Sequence, residues 1–253
     1  YTEDDAQIFF GRGATIDRLV EKMRTNNLVA IAGMSGAGKS SLVCAGLIPR
    51  IRDDALSNSS DWVVVKMTVG DDPLAHLVLA CKDLSLNVEM LQENPSTLVQ
   101  ALISDPKNLK TMLLVIDQFE EIFTRTSEKD RLSFLKIVRQ ASSHLKIILT
   151  IRAEFYHRLL PHLEDTLIDG QFPLGQPTPF ALLEMVKRPA ELAGIEFAEG
   201  LPERIVTDTG NTAGGLALMA YLLAELYELR LDEKLTIDHY EQVGGVKGAI
   251  AKR

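Results

Sequence analysis

Cysteine, excess positive charge and long apolar runs are all scarce in this chain of 253 residues, and each scarcity closes off a class of protein. The two cysteines, Cys44 and Cys81, lie in apolar stretches without metal-ligand spacing, so they read as buried hydrophobes. A disulfide framework is excluded, and a reducing compartment, the cytoplasm, is expected. Lys and Arg number 27 against 35 Asp and Glu, a net charge of -8. That balance gives no electrostatic basis for holding nucleic acid or an anionic membrane, so neither is expected as a partner. No stretch reaches the ~20 apolar residues of a membrane-spanning helix. The longest candidate, Gly214 to Ala224, is cut off by Glu225. The five histidines (His76, His144, His157, His162 and His239) lack ligand spacing, with Pro161 expected to break the register between His157 and His162. A starting Met is missing, Tyr1-Thr2-Glu3-Asp4-Asp5 is no secretion signal, and the end at Ala251-Lys252-Arg253 is abrupt. The sequence is expected to be a piece of a longer protein.

The remaining composition, 46% apolar and 25% charged, is that of a globular chain able to bury a sizeable core. Through the first two-thirds, short apolar runs bounded by turn residues alternate with stretches of 3.6-residue period, the pattern of a parallel sheet covered by helices. A helix is predicted from about Ala14 to Arg24, with Ile16, Leu19, Val20 and Met23 on one face. Leu28 to Ala32 is unbroken and apolar, as a central parallel strand buried on both faces must be. Trp62 to Val69, Met112 to Ile116 and Lys146 to Ile151 read the same way, and Gln171 to Leu174 is a weaker edge candidate. After about Gly175 the strand signals stop. Thr178-Pro179 pairs a capping residue with proline at the first helical position, and further helices are predicted to open at Pro202 and Leu216. The expected organisation is an α/β nucleotide-binding domain over residues 1–175, a small all-α lid over 176–236, and a truncated further segment over 237–253.

The chemistry concentrates at strand ends. Gly33-Met34-Ser35-Gly36-Ala37-Gly38-Lys39-Ser40 has the spacing of a phosphate-binding loop and lies between a buried strand and a helix, where that mechanism requires it. Glycines let backbone N–H groups turn toward phosphate oxygens and the helix N-terminus adds positive potential. Lys39 is placed to reach the terminal phosphates, and Ser40 to offer a hydroxyl to magnesium. At the end of the Met112 to Ile116 run, Asp117 reads as a carboxylate holding that magnesium through water, or as the cap of a helix from Gln118. If a helix continues, Glu120 and Glu121 lie on its near side, either able to orient an attacking water, or both merely acidic in a first helical turn. Arg152 ends the following strand, placed to sense a terminal phosphate or to pair with Glu154. Asp71-Asp72-Pro73 reads as a turn that starts a helix.

Taken together these residues resemble the signal-transduction NTPases with numerous domains (STAND), within them the novel STAND NTPases of bacteria, which are related to the AAA+ ATPases. Ile8-Phe9-Phe10-Gly11-Arg12 resembles the family's opening Phe-x-Gly-Arg-Glu, with Gly13 in place of Glu. The resemblance implies that the peptide at Phe10 lies over adenine with Arg12 near the phosphates. The run from Ser40 and Ser41 to Ala45-Gly46-Leu47-Ile48-Pro49, the acidic Asp117-Gln118-Phe119-Glu120-Glu121, and Arg152-Ala153-Glu154-Phe155-Tyr156 are similar to family motifs. Arg188-Pro189-Ala190 and Tyr240 to Val246 resemble its helical lid and the start of a winged helix. Ala217 stands where the family has proline in a run that packs on the nucleotide.

The resemblance implies a regulatory switch that binds ATP or ADP with Mg2+, hydrolyses ATP slowly and self-associates in the ATP state, alongside sensor and effector domains elsewhere in the full-length chain. Gly33, Ser35, Gly36, Ala37, Gly38, Lys39, Ser40, Ser41, Phe10, Arg12 and Pro189 are the expected nucleotide contacts. Ser40 and Asp117 would hold the metal, and Glu120, Glu121, Lys39 and Arg152 would act in catalysis. The alternatives are a steadily turning-over ATPase that remodels a macromolecular partner and an interaction module in which nucleotide is structural.

Overall fold

The computed structural model describes residues 1–104, 111–210, 214–230 and 233–248. In chain order a 3-10 helix over Glu3–Ile8 is followed by α1 (Gly13–Thr25), β1 (Leu28–Gly33), α2 (Lys39–Ser41), a π-helical stretch Leu42–Leu47 and α3 (Ile48–Arg52). There follow β2 (Val63–Thr68), α4 (Pro73–Ala80), α5 (Val88–Glu93), α6 (Thr97–Ser104), β3 (Met112–Asp117), α7 (Glu121–Thr124) and α8 (Glu128–Ala141). Next come β4 (Lys146–Arg152), α9 (Ala153–Leu167), β5 (Gln171–Pro173), α10 (Pro179–Leu192) and β6 (Glu196–Phe197). The last are α11 (Leu201–Gly210), α12 (Gly215–Leu229), β7 (Lys234–Leu235), α13 (Ile237–Val243) and α14 (Gly245–Gly248). The chain divides into two compact units, one made of Asp17–Met34 and Leu47–Leu174, the other of Tyr1–Ile16, Ser35–Gly46 and the residues from Gly175 onward.

The first unit is built on a parallel sheet of order β2-β3-β4-β1-β5. The apolar runs seen in the sequence form its strands. Leu28, Val29, Ala30 and Ile31 of β1 are at most 1% exposed. Fully burying one such aliphatic side chain contributes about 1.5–3 kcal/mol, which makes the central strands the firmest part of the fold. Alternate residues of β3 and β4 (Met112, Leu114, Ile116; Ile147, Leu149, Ile151) share one core with Leu74 and Leu77 of α4, Phe134 and Val138 of α8, and Leu159 and Leu163 of α9. Asp72 caps α4 by accepting from the Ala75 N–H at 3.0 Å, with Pro73 at the first helical position. Lys146 donates to the Met23 and Asn26 carbonyls that α1 leaves unpaired at its end, at 2.7 and 3.3 Å, a favourable place for a cation. Because all five strands run the same way, Thr68, Asp117, Arg152, Gly33 and Pro173 end at one edge of the sheet.

Three expectations need correction, two of them in this unit. Pro161 does not break its helix: α9 runs through it from Ala153 to Leu167. Proline removes its own N–H bond and crowds the carbonyl of the preceding turn, a cost offset here by the burial of Leu159 and Leu163 on either side. No helix begins at Gln118, whose φ of +53° is left-handed; the helix starts at Glu121. Cys81 is buried, and burial pushes its thiol up to about 11, whereas Cys44 in the other unit is only partly buried.

The second unit is mainly helical. Thr178 caps α10 by accepting from the Ala181 N–H at 3.2 Å, and Pro179 follows it as the sequence indicated. Leu182 and Val186 of α10, Ile205 of α11, Met219, Leu222 and Leu226 of α12 and Tyr240 of α13 form its core. The Tyr240 hydroxyl donates to Asp208. One feature has no signal in the sequence pattern: β6 and β7 pair in parallel, Glu196 with Lys234 and Phe197 with Leu235. Of the segment read as 237–253, residues 249–253 lie outside the described residues.

Candidate functional site

In the sheet unit, chemistry gathers around the ends of β3 and β4. β3 ends on Asp117, and the left-handed Gln118 turns the chain sharply toward β4. Thr150, 1% exposed in an otherwise apolar strand, receives that turn. Its hydroxyl oxygen accepts from the Gln118 N–H at 3.0 Å, its carbonyl accepts from the Phe119 N–H at 2.8 Å, and its hydroxyl donates to Asp117 Oδ1. Phe119, fully buried, anchors the turn against Phe134. A non-glycine residue at positive φ costs free energy and persists only where its surroundings fix it, as these bonds do.

Arg152 and the two glutamates lie next to this turn. Glu120 precedes α7; its Oε2 accepts from the Arg152 backbone N–H and its Oε1 meets Arg152 Nε, both at 3.2 Å. Glu154, the alternative partner read from the sequence, is farther from the guanidinium, at 4.0 Å. Glu121 Oε2 accepts from the N–H of Gly70 at 3.0 Å in the loop after β2, while Oε1 pairs with Arg125 at 3.1 Å. Thr126 adds a hydrogen bond to the Gly70 carbonyl at 3.1 Å. Glu121 is thereby committed to holding a loop, and Glu120 to holding Arg152.

In the second unit, the loop from Ser35 enters its helix with Gly36 and Gly38 at φ of +75° and +84°. Only glycine adopts such values without strain, and the turn they form leads into α2, where Gly38 is the N-cap and Lys39, Ser40 and Ser41 form the first turn. Ala37, 1% exposed, points its carbonyl at Arg12. Arg12 is itself 6% exposed and bridges two main-chain carbonyls, donating through Nη2 to Ala37 at 3.0 Å and through Nη1 to Gly175 at 3.2 Å. Burial pulls its pKa below the ordinary arginine value.

The residues beside Arg12 are equally tightly placed. Gly11 has φ of +74°, and a Cβ there would lie 2.3 Å from the Ala181 carbonyl of α10. The Arg188 guanidinium sits 5.4 Å over the ring of Phe10, bringing together Phe10 and the neighbourhood of Pro189. A Cβ at Gly36 would come within 3.4 Å of Gly214, and one at Gly38 within 3.8 Å of Leu216, so the loop lies against the start of α12. N-terminal peptide, phosphate loop and helical segment therefore form one packed assembly.

The expected residues thus fall into two sets, joined through the chain at Gly33-Met34-Ser35: Phe10, Arg12, Ser35 to Ser41 and Pro189 in one unit, and Gly33, Asp117, Glu120, Glu121 and Arg152 in the other. Gly33 is the last residue of β1 and pairs in register with Arg152. Sequence reasoning missed Thr150. Its signal was a lone hydroxyl in an apolar strand, two residues before Arg152.

The family described as novel STAND NTPase 1 matches residues 1–253. No curated protein matches. Among solved structures, the chain is similar to the Walker-type ATPase PABY2304 of Pyrococcus abyssi at 16% identity and a TM-score of 0.62, covering 99% of this chain and 72% of that one. It is similar to the Aeropyrum pernix ORC1 protein, solved in complex with DNA, at 17% identity and 0.66, covering 97% of this chain and 66% of that one, just under two thirds of its length. Domain III of the Thermotoga maritima replication initiation protein DnaA is similar at 17% identity and 0.55, with 99% and 96% covered. At such identities the likeness carries the fold, a P-loop ATPase sheet with flanking helices.

Proposed function

Because this chain belongs to the novel STAND NTPase 1 family, a group of P-loop NTPases, we propose that it is an ATP/ADP switch that hydrolyses ATP slowly and controls self-assembly. The observation that carries this reading is the Arg12 bridge, which ties the Ala37 carbonyl of the phosphate loop to Gly175, three residues before the cap of α10. A loop held to the start of the helical segment in this way transmits its occupancy to residues 176–236, which act as the lid. The segment 237–253 is proposed as the beginning of a winged helix. ADP and ATP shift such an equilibrium only by binding its two arrangements with different affinity.

In the proposed mechanism the loop N–H groups and Lys39 bind the phosphates, and Phe10, with Arg188 and Pro189 nearby, binds the base. Magnesium, when bound, neutralises charge on the phosphates during transfer. The donors fit that ion: the Ser40 hydroxyl and the Asp117 carboxylate are hard oxygen ligands. Among the described residues no group of three His, Cys, Asp or Glu could cage a metal. An ion held by one or two protein oxygens and completed by nucleotide phosphates is the usual magnesium arrangement. Glu120 orients the attacking water, since Glu121 is occupied with Gly70. Glu120 must first be freed from the Arg152 guanidinium, which supports slow hydrolysis. A terminal phosphate competing for Arg152 is the event that would release it.

The proposed setting is cytoplasmic, with no nucleic-acid or membrane partner, on the strength of the acidic balance of -8. Among the described residues no helix is long and apolar enough to cross a membrane. Calorimetric titration of nucleotide-stripped protein with ADP and with Mg-ATP tests the switch. Clear preference for ADP is the expected result. Equal or tighter ATP binding with brisk turnover would instead identify an ATPase that works continuously on a macromolecular partner.

A further inference from the structure

We infer that Thr150 is a positioning residue for the Asp117 carboxylate, fixing the rotation in which that carboxylate meets the cation of a bound nucleotide. The inference rests on the proposed role of Asp117 and adds a residue outside the motifs that indicated it. The hydrogen-bond directions at Thr150 admit one arrangement. The Gln118 N–H can only donate, so at 3.0 Å it takes a lone pair of Thr150 Oγ1. The hydroxyl hydrogen is then directed to an acceptor, and the ionised Asp117 carboxylate can only accept. One hydroxyl therefore serves the turn and the carboxylate at once.

Thr150 cannot easily yield. It is 1% exposed, it pairs in the sheet with Ile31 of β1, and its carbonyl is bound by the Phe119 N–H at 2.8 Å. The methyl of a β-branched side chain further restricts χ1. A buried hydroxyl costs free energy unless its bonds are made, and here both are made at the carboxyl end of a central strand, beside the candidate metal-holding group. Partners of this kind hold a ligand in the orientation that a cation requires, and losing one typically weakens metal binding about 10–100-fold.

The test measures ADP affinity by calorimetry in EDTA and at rising Mg2+, for the wild type, Thr150→Val, Thr150→Ser and Asp117→Asn. Thr150→Val is expected to raise the Mg2+ concentration needed for half of the Mg2+-dependent gain by about 10–100-fold, with ADP affinity in EDTA unchanged. Thr150→Ser, which keeps the hydroxyl, is expected to follow the wild type, and Asp117→Asn to lose the gain. If Thr150→Val does not fold, Thr150→Ala is read by the same criteria. Wild-type Mg2+ dependence in Thr150→Val beside a lost gain in Asp117→Asn would overturn the Thr150 inference alone. So would a loss in EDTA equal to that in Mg2+, or a Thr150→Ser variant as impaired as valine. A wild-type affinity indifferent to Mg2+, or an Asp117→Asn variant with the full gain, would overturn the metal reading and the inference together.

Discussion

Arg152 holds Glu120 at two points, through its backbone N–H and through its guanidinium Nε, each at 3.2 Å. The Glu120 side chain is 12% exposed and that of Arg152 45%, so the carboxylate is the inner partner and the guanidinium reaches toward solvent. An incoming anion can therefore engage the guanidinium while the backbone N–H still holds the glutamate. In the proposed mechanism this one ion pair would couple sensing to proton abstraction.

Glu120→Gln is expected to reduce single-turnover ATP hydrolysis by about 100-fold or more, within the range for losing a general base, with ADP affinity retained. Glu121→Gln keeps an acceptor for the Gly70 N–H and is expected to hydrolyse ATP near the wild-type rate. The reverse pattern in the two rates would assign the base to Glu121.

Arg152→Ala is expected to level the affinities for ADP and Mg-ATP, because the group proposed to respond to the terminal phosphate is gone. Competition binding against a fluorescent nucleotide measures the ratio. A ratio equal to that of the wild type would remove Arg152 from phosphate sensing.

Lys39→Ala is expected to abolish nucleotide binding while circular dichroism and the thermal midpoint stay close to the wild type. Lys39 begins a helix whose hydrophobic anchoring comes from residues beyond it, such as Leu42 and Val43, both fully buried. Undiminished affinity would refute the assignment of the loop.

Arg12→Ala leaves the buried Ala37 carbonyl without its donor, an unpaired group costing about 1–3 kcal/mol. Chemical denaturation is expected to register that loss, and nucleotide affinity is expected to fall with it. Arg12→Lys keeps the charge but replaces the planar fork that reaches two carbonyls with a single point of contact, so it is expected to recover only part of the affinity. Full recovery by lysine would reduce the role of Arg12 to charge alone.

Tyr240 gives a pH dependence of definite sign. Burial first, and then the hydrogen bond to Asp208, push its pKa from 10.0 up to about 12. Below pH 10 both folded and unfolded chains keep the phenol proton, and the stabilisation is complete. Between about 10 and 12 the unfolded chain loses it while the folded one does not, so stability falls as pH rises. Urea denaturation across that interval is expected to show a steeper decline in the wild type than in Tyr240→Phe. Parallel curves would contradict the shift.

The sheet was legible because central parallel strands must be apolar on both faces, and Leu28 to Ile31 and Met112 to Ile116 carry no other pattern. The cap at Thr178-Pro179 and the turn at Asp72-Pro73 were legible because each is local chemistry within three or four residues. The relationships that were not legible depend on long-range partners. Arg12 finds Ala37 and Gly175, β6 finds β7 across more than thirty residues, and Thr150 receives a turn made by Gln118 on another strand. The reading of a helix from Gln118 failed for the same reason: the left-handed Gln118 is held by β4, not by its own neighbours, and the helix begins only at Glu121. The placement of Asp117 and Arg152 on one sheet edge could be anticipated, but not which glutamate Arg152 would hold.

The π-helical stretch Leu42–Leu47 acts as a phase shifter between the loop and α3. Relative to a regular α-helix, a π turn accommodates one extra residue. Ile48 and Ile51 of α3, which follows the stretch directly, are both fully buried. A one-residue deletion inside the stretch would leave every phosphate-binding residue in the sequence, yet swing these two anchors out of phase with their pockets. Loop function and helix docking are thus tuned by length as much as by residue identity.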